Sequence, residues 1–354
     1  MNRRRLLAAT AGLGASGMGG WVMAQEAAPS AAASSVLPAV LNRPATASPL
    51  AASGALLAAS RAGSRLVVGG ERGNILISDD AGRTWTQARV PAQVSITSLA
   101  FSNDREGWAA GHFGVLLRTA DAGASWSLAI DGVRAAQVLL KDASDDMQRQ
   151  AAQRKVEEGA DKPFLDIALV NGKLMAVGAY GLAVESADGQ SFRSLSARLP
   201  NPRQFHIYGL SAAGQRVFAV GEQGLLMRSL DAGTTFVALA SPYKGSFFGA
   251  LLLGESTVLA YGLRGNIWRS ADNGNTWSQV TNPVPVSISA GTTLGGSAVA
   301  LIAQNGDLLI SRDQGQSFVR SPAAPPFPAA NVAVADDKHL LLTGLRGLKL
   351  QALG

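Results

Sequence analysis

The sequence predicts an all-β fold, a seven-bladed β-propeller with four-stranded blades. The chain has 354 residues, of which 40 are glycine and only 16% are charged, a composition typical of many short strands joined by tight turns. An eight-residue motif, S/T-x-D-x-G-x-S/T-W/F (the octet), recurs six times, once shortened by one residue. A G-x-x-G motif, with alanine replacing the first glycine in one copy, precedes each octet and occurs a seventh time. A two-sheet sandwich would not explain seven in-phase copies.

The spacing of the octets matches one propeller blade per repeat. Their central aspartates are separated by 41, 67, 43, 41 and 41 residues. A period near 41, with glycine and aromatic residues at fixed places, is what four short strands and their turns require. In the second repeat we expect strands at 96–101, 107–110, 115–119 and 125–130. The central aspartates are Asp80, Asp121, Asp188, Asp231, Asp272 and Asp313.

The seventh repeat contains Gly344 and Gly347 of G-x-x-G but no octet follows it in the chain, so its fourth strand must come from elsewhere. Residues Ser35–Asn42 are well placed to supply that strand. Closure by an N-terminal strand would cover a sheet edge that otherwise invites aggregation. We therefore expect one propeller domain over residues 35–354, with its ring closed by this strand.

The N-terminus predicts export. Residues 1–24 have the pattern of a signal peptide, with Arg3–Arg5, an apolar stretch and a cleavage site ending at Ala24. The arginines and the two leucines after them fit a twin-arginine signal, and an alanine- and serine-rich linker over 25–34 follows. We expect a protein of the periplasm, or of an equivalent compartment such as the thylakoid lumen, that is soluble after cleavage.

Charge and cysteine content exclude several classes of function. Without residues 1–24 the chain has 28 basic and 25 acidic residues, so its charge gives little support for nucleic-acid binding, and we expect no nucleic-acid partner. The absence of cysteine excludes disulfides, cysteine-based metal sites and thiol catalysis. The three histidines are scattered without metal-ligand spacing. We therefore expect neither a metal nor a cofactor.

The interval of 67 residues predicts a helical insertion between blades 2 and 3. About 26 extra residues, Arg134–Gly159, lie in the connection between these blades. Five apolar residues recur there at helical spacing, which predicts one amphipathic helix. This helix either packs on its own propeller or docks a partner, and the sequence leaves both open. The five residues are Ala136, Leu140, Ala143, Met147 and Ala151.

The octet has the chemistry of a turn. Its hydroxyl and carboxylate side chains accept hydrogen bonds from turn amides, and its glycine permits a positive φ. A catalytic carboxylate is expected once rather than six times, and one carboxylate per loop is too few for Ca²⁺. We therefore expect a structural role for the six central aspartates.

Partner binding is expected on the other end of the disc. Strand alternation places the octets at one end, and the G-x-x-G turns, the blade-to-blade connections and the insertion at the other. The side chains at that second end differ in chemistry from blade to blade, although the sequence around them repeats. The candidate partner-binding residues are Arg72, His112, Phe113, Tyr180, Arg203, Lys244, Arg264 and Arg346.

The octets resemble those of Asp-box, or BNR, propellers. With G-W-A-x-G at 107–111 and T-x-D-x-G-x-x-W at 119–126, the chain resembles the photosystem II stability/assembly factor family of seven-bladed propellers. The resemblance covers the chain from about residue 35 onward. It implies a non-enzymatic scaffold or assembly factor whose partner is a membrane protein or complex, and we expect a monomer. In a bacterium without photosystem II, the expected partner is a membrane transporter. A basic patch in that family suggests, by analogy, a comparable patch from the five cationic candidates.

A carbohydrate-active propeller is the alternative, since Asp boxes also occur in sialidases and other glycosidases. A sialidase needs three clustered arginines, a Tyr/Glu nucleophile pair and an aspartate that acts as the general acid. The chain has only four tyrosines, at 180, 208, 243 and 261, and lacks the Arg-Ile-Pro phrase typical of sialidases. An ordinary glycosidase needs only two carboxylates, and the sequence does not exclude such a pair.

Overall fold

The computed structural model describes residues 38–322 and 325–353. The predicted signal peptide over 1–24 and the linker over 25–34 lie outside the described residues. In the described part, no helix is long and apolar enough to cross a membrane.

The described strands form seven antiparallel sheets, each made of strands consecutive in the chain, which confirms the seven-bladed propeller. Blade 1 contains β1 (Leu56–Ala62), β2 (Arg65–Gly70), β3 (Ile75–Ser78) and β4 (Thr86–Gln87). Blade 2 contains β5 (Ile96–Phe101), β6 (Gly107–Gly111), β7 (Val115–Thr119) and β8 (Ser127–Ile130). Blade 3 contains β9 (Phe164–Val170), β10 (Lys173–Gly178), β11 (Ala183–Ser186) and β12 (Arg193–Ser194). Blade 4 contains β13 (Ile207–Ala213), β14 (Arg216–Gly221), β15 (Leu226–Ser229) and β16 (Val237–Ala238).

The remaining strands complete the ring. Blade 5 contains β17 (Phe247–Leu253), β18 (Thr257–Gly262), β19 (Ile267–Ser270) and β20 (Ser278–Gln279). Blade 6 contains β21 (Ile288–Gly295), β22 (Ala298–Ala303), β23 (Leu308–Ser311) and β24 (Val319–Arg320). Blade 7 contains β25 (Ala329–Val334), β26 (His339–Gly344) and β27 (Gly347–Ala352). The first strands of neighbouring blades contact one another, so these seven strands surround the axis of the ring.

Each blade buries its second strand almost completely, which explains the continuous apolar runs in the sequence. All six residues of β14 and all six of β18 are buried. Such a strand has sheet neighbours on both edges and another blade against each face, so it reads as an unbroken apolar run. Short 3-10 turns follow five of these strands, at Glu71–Gly73, His112–Gly114, Ala179–Gly181, Glu222–Gly224 and Leu263–Gly265.

The predicted closure by an N-terminal strand is wrong for the residues that the structure describes. Ala39–Asn42 forms a 3-10 turn, not a strand, and the last sheet has three strands. This segment bonds to the connection between blades 1 and 2, with Gln93 N donating to Val40 O at 2.9 Å. Leu41 is buried there among side chains of blades 1 and 2, and that burial outweighs pairing with a distant edge. Blades 1 and 7 are joined by side-chain packing, in a cluster containing Leu56 and Leu341.

The insertion forms two helices instead of the single predicted helix. They are α1 (Gly132–Lys141) and α2 (Asp146–Glu158). Asp145 caps the start of α2 by accepting from Gln148 N at 2.8 Å, so a second helix begins there although the apolar spacing continues across it. Helix α1 buries Ala135 and Leu139 in the core between blades 2 and 3, so the insertion packs on its own propeller. Short 3-10 turns also occur at Ala51–Ser53 and Ser196–Arg198.

Candidate partner-binding face

The two ends of the ring carry different kinds of turn. The octets join the third and fourth strands of blades 1 to 6. The turns between first and second strands lie at the same end, as shown by the ion pair between Arg65 Nε and Asp79 Oδ1 at 2.7 Å. The opposite end, here called the G-x-x-G face, contains the turns between second and third strands and the connections between blades. Glycine-rich backbone meets those connections closely, with Gly73 N donating to Val94 O at 2.7 Å.

Each octet is a closed hydrogen-bonded turn. In blade 1, Ser78 Oγ donates to Asp80 Oδ1 at 2.8 Å and accepts from Gly82 N at 2.8 Å. The same carboxylate accepts from the backbone N and the Oγ1 of Thr84, at 2.8 and 2.6 Å. These bonds, led by that of the Thr84 hydroxyl, lower the pKa of Asp80 to about 2. Both carboxylate oxygens therefore accept hydrogen bonds within the turn itself.

The other octets repeat this arrangement. Thr119 or a serine takes the place of Ser78, and the aspartates accept from the serine or threonine of the octet's seventh position. In the shortened copy, Asp188 instead accepts from Gln190 N and Ser191 N. Across residues 38–322 and 325–353, no group of three or more potential metal-ligating side chains occurs.

The tryptophan of the octet anchors the turn by packing between two blades. Trp126 is 7% exposed, and its Nε1 donates to Gly123 O at 3.0 Å. Replacing Trp126 with phenylalanine is expected to lower the free energy of unfolding by about 1–2 kcal/mol, because the Gly123 carbonyl loses its donor and a gap opens beside Phe101. Urea unfolding of both proteins measures this difference. Equal midpoints and slopes would show that the indole bond contributes nothing.

The G-x-x-G turns hold large side chains on left-handed backbone. The residue before the second glycine has a φ between 51° and 59° in five blades. A non-glycine residue in that region costs on the order of 1 kcal/mol, and glycine would remove the strain. The fourth residue of five octets has the same conformation, with a φ between 56° and 58°, but it is alanine, asparagine or glutamine there, so the arginine and aromatic side chains are what distinguish the G-x-x-G turns. The five residues are Arg72, Phe113, Tyr180, Gln223 and Arg264.

All eight predicted partner-binding residues lie in turns or connections of the G-x-x-G face. Seven of them are exposed, and Phe113 is half-buried because it packs on the core of blades 1 and 2 beside Val133 of α1. The basic residues are distributed around the ring, so they form a dispersed belt rather than one cluster. The seven exposed residues are Arg72, His112, Tyr180, Arg203, Lys244, Arg264 and Arg346.

A row of aromatic rings crosses this face from blade 3 to blade 5. Tyr180 contacts His206 with ring centroids 4.6 Å apart, His206 contacts Tyr208 at 5.9 Å, and Tyr208 contacts Phe248 at 5.7 Å. All three pairs are edge-to-face, a favourable geometry for aromatic rings. The Lys162 Nζ lies 5.6 Å from the Tyr180 ring centroid. Of these residues the sequence singled out only Tyr180.

Each first strand has a bulge near its start, and the last two rings of the aromatic row, Tyr208 and Phe248, are bulged residues. In all seven blades the register shifts by one residue after the strand's first residue, and the bulged residue is half-exposed near the axis. Bulges re-aim side chains and are frequent beside functional sites. Each bulged residue is the second residue of its blade's first strand, a regularity that the sequence predictions did not use. The bulged residues are Leu57, Thr97, Leu165, Tyr208, Phe248, Ser289 and Ala330.

One carboxylate joins three of the first strands. Asp166 on β9 accepts from Ser98 Oγ of β5 at 2.7 Å, from Ile167 N at 2.9 Å and from Leu210 N of β13 at 2.8 Å. The corresponding residue in the other blades is small or neutral, as in Ala58 and Asn331. Burial raises the pKa of Asp166 to about 6, against the opposing effect of its three donors.

The tyrosine best placed for the sialidase-like alternative is Tyr208, because Glu222 lies near it. Desolvation and, to a lesser extent, the Glu222 charge raise the pKa of Tyr208. A nucleophilic phenol needs the opposite change, or a base that takes its proton. Glu222 instead accepts from His206 N through Oε2 at 3.1 Å. The geometry thus favours an aromatic contact surface over a nucleophile at Tyr208.

Comparison with known proteins supports the resemblance predicted above. The family model described as Photosynthesis system II assembly factor YCF48 matches residues 51–131, which span blades 1 and 2. This match confirms the resemblance over the blades that contain the quoted motifs. No curated protein shows detectable sequence similarity to the chain.

Solved structures share the fold at low sequence identity. The structure titled YCF48 bound to D1 peptide has a TM-score of 0.63 and 17% identity, covering 86% of this chain and 94% of that one. YCF48 from Cyanidioschyzon merolae has a TM-score of 0.64 and 15% identity, covering 86% and 97%. The GH74 xyloglucanase from Xanthomonas campestris has a TM-score of 0.59 and 12% identity, covering 84% of this chain and 52% of its own.

Proposed function

We propose that this chain is a non-enzymatic, protein-binding propeller that assists the assembly of a membrane protein complex. The observation that carries the proposal is the G-x-x-G face, where strained turns hold Arg72, Phe113, Tyr180, Gln223 and Arg264 in place. The family match over residues 51–131 supports an assembly role, and a propeller of the same fold has been solved with a D1 peptide bound. The octets build the ring, and the opposite face binds an exposed segment of a membrane subunit.

The predicted N-terminal signal supports a proposal for the cellular setting. We propose that the chain is exported, by the twin-arginine route, to the periplasm or to an equivalent lumen. There it acts as a monomer on the exported segments of its membrane partner. In a phototroph that partner is photosystem II; in another bacterium it is a membrane transporter complex.

The belt of arginines gives the first test of partner binding. Replacing Arg72, Arg264 and Arg346 together with glutamate is expected to weaken capture of the membrane partner by at least about tenfold, because arginines attract acidic groups on the partner and glutamates would repel them. The measurement is affinity purification of the full chain from detergent-solubilised membranes of its host, with the partner quantified by mass spectrometry.

The matched control reverses three arginines at the octet end. Arg83, Arg105 and Arg312 are exposed there, and the triple glutamate variant has the same net charge as the test variant. We expect it to recover the partner like the unmodified chain. Equal losses in both variants would mean that total charge, not the G-x-x-G face, decides binding. Failure of the unmodified chain to enrich any specific membrane protein would contradict the proposed function.

A carbohydrate-active role is the second candidate, and the fold likeness to a xyloglucanase is the observation behind it. That likeness extends to the ring architecture alone. Assays of the purified chain on xyloglucan and on sialosides separate the two proposals. Hydrolysis of either substrate by the purified chain, absent from a mock purification, would overturn the non-enzymatic proposal.

A further inference from the structure

Helix α2 and the connection after blade 3 enclose an apolar groove on the G-x-x-G face. Its cavity has a volume of about 250 Å³. Helix α2 packs on α1 and leaves this space between itself and residues 194–204. Met147 at the groove is 66% exposed, which places a flexible apolar side chain where a ligand would meet it. The apolar lining includes Leu139, Met147, Ala151, Leu199, Pro200 and Pro202. Asp145 also lines the groove, and its carboxylate accepts from Gln148 N at the start of α2.

A buried lysine lies in this apolar groove. Lys155 of α2 is 5% exposed, and its Nζ donates to the Gln204 side-chain Oε1 at 2.6 Å. Among the described residues, no carboxylate lies within ion-pair distance of this ammonium. A buried charge held only by a neutral amide retains much of its desolvation cost. Burial lowers the pKa of Lys155 to about 8 for that reason.

The neighbouring lysine shows what Lys155 lacks. Lys162 is also buried, at 8% exposure, but its Nζ pairs with both Glu158 and Asp161. The two lysines line a second cavity of about 260 Å³, which adjoins the groove and includes Tyr180. The Lys155 ammonium therefore lies where an apolar groove meets a polar cavity, next to the aromatic row.

We infer that the groove binds a peptide segment of the protein partner in which a glutamate or aspartate, flanked by apolar residues, pairs with Lys155. This inference rests on the proposed function, since it names the chemistry of the partner that the G-x-x-G face binds. Apolar side chains of the segment cover the leucine, methionine and proline lining. The carboxylate supplies the ion pair that Lys155 lacks, in a site where little water screens the pair. Continuity with Tyr180 joins the groove to the rest of the face.

Two synthetic peptides test the groove directly. Both are fluorescein-labelled, capped and rich in leucine, valine and proline, and they differ only in a central glutamate or glutamine. Fluorescence anisotropy with the full chain is expected to show at least about tenfold tighter binding of the glutamate peptide. That preference is expected to disappear in Lys155→Met and to persist in Lys141→Met, an exposed lysine on α1. Equal binding of the two peptides, or binding of neither, would overturn the inference.

A folding control accompanies the variant. Lys155→Met keeps the side-chain length and removes a buried charge without an ion pair, so its melting temperature is expected to equal or exceed that of the unmodified chain. If the variant fails to fold, the pH dependence of the unmodified chain decides. Its preference for the glutamate peptide should vanish as the pH rises above the Lys155 pKa of about 8. A preference unchanged up to pH values well above this would contradict pairing with Lys155.

Partner capture separates this inference from the proposed function. If the unmodified chain and Lys155→Met recover the same membrane protein equally well, the groove is not its acidic docking site and the proposed function stands. If the unmodified chain recovers none, the proposed function fails, and the peptide measurement still determines whether the groove selects a carboxylate.

Discussion

Replacing Gly224 with alanine is expected to lower the free energy of unfolding by about 3 kcal/mol or more, the largest effect of any single substitution considered for this ring. Two causes add. The backbone of Gly224 has a φ of 81°, which strains any L side chain. An added Cβ would also lie 2.1 Å from the Tyr243 carbonyl oxygen, so the connection from blade 4 to blade 5 would have to move. Urea unfolding monitored by tryptophan fluorescence measures the loss.

Blade 3 provides the matched control at the same motif position. Gly181 has a φ of 66°, but the nearest atoms to an added Cβ lie 3.4 Å away, on Asn201 and Gln204. Gly181→Ala therefore isolates the backbone strain, at a cost of about 1 kcal/mol. Similar losses for the two variants would show that backbone conformation alone makes glycine necessary. The expected difference instead assigns the second glycine to the close approach of blade-to-blade connections.

The repeat was predictable because it is enforced in every blade. Each octet closes the same turn, and each second strand is buried by equivalent neighbours. The octet motif and the apolar run of the second strand therefore recur about every 41 residues in the sequence. Features that occur once left no such mark. Ser35–Asn42 was predicted as a strand, but Ala39–Asn42 forms a 3-10 turn. Pro38 and Pro44, which lack backbone N–H donors for a sheet, flank that turn, and burial of Leu41 holds it at blades 1 and 2.

The insertion and the face were predictable only in part. Helical spacing over 134–159 indicated helix but missed the cap at Asp145 that divides it. The turns of the G-x-x-G face could be placed by counting strands. Tyr208 and Phe248, in contrast, lie 40 residues apart in neighbouring blades. They come together through bulges that no particular residue type marks in the sequence. Lys155 and Gln204 meet only because α2 folds back over blade 3.

Asp166 gives the second large expected effect, a fall in stability as the pH rises. Its folded-state pKa of about 6 lies above the value of about 3.9 for an unfolded aspartate. Between these values the unfolded chain has released its proton while the folded chain retains it. Stability from the neutral carboxyl is therefore full below pH 4 and is lost as the pH rises through 6. Since Asp166 keeps partial contact with solvent, we expect a loss of about 2 kcal/mol.

The asparagine variant isolates this contribution. Asp166→Asn removes the titration but leaves one backbone N–H, of Ile167 or Leu210, facing an amide N–H group, so it is expected to be less stable than the unmodified chain at pH 4. The gap should narrow by about 2 kcal/mol towards pH 7, because only the unmodified chain then carries a buried charge. The octet aspartates, such as Asp80 and Asp272 with pKa values of about 2, lose stabilisation as the pH falls through about 4, but both proteins contain them, so their contribution cancels in the difference between the two proteins. Asp104→Asn, an exposed replacement, serves as the control. Parallel pH profiles of unfolding free energy for the unmodified chain and Asp166→Asn would mean that the three donors offset the burial of the carboxylate, and that Asp166 has the same pKa in the folded ring as in the unfolded chain.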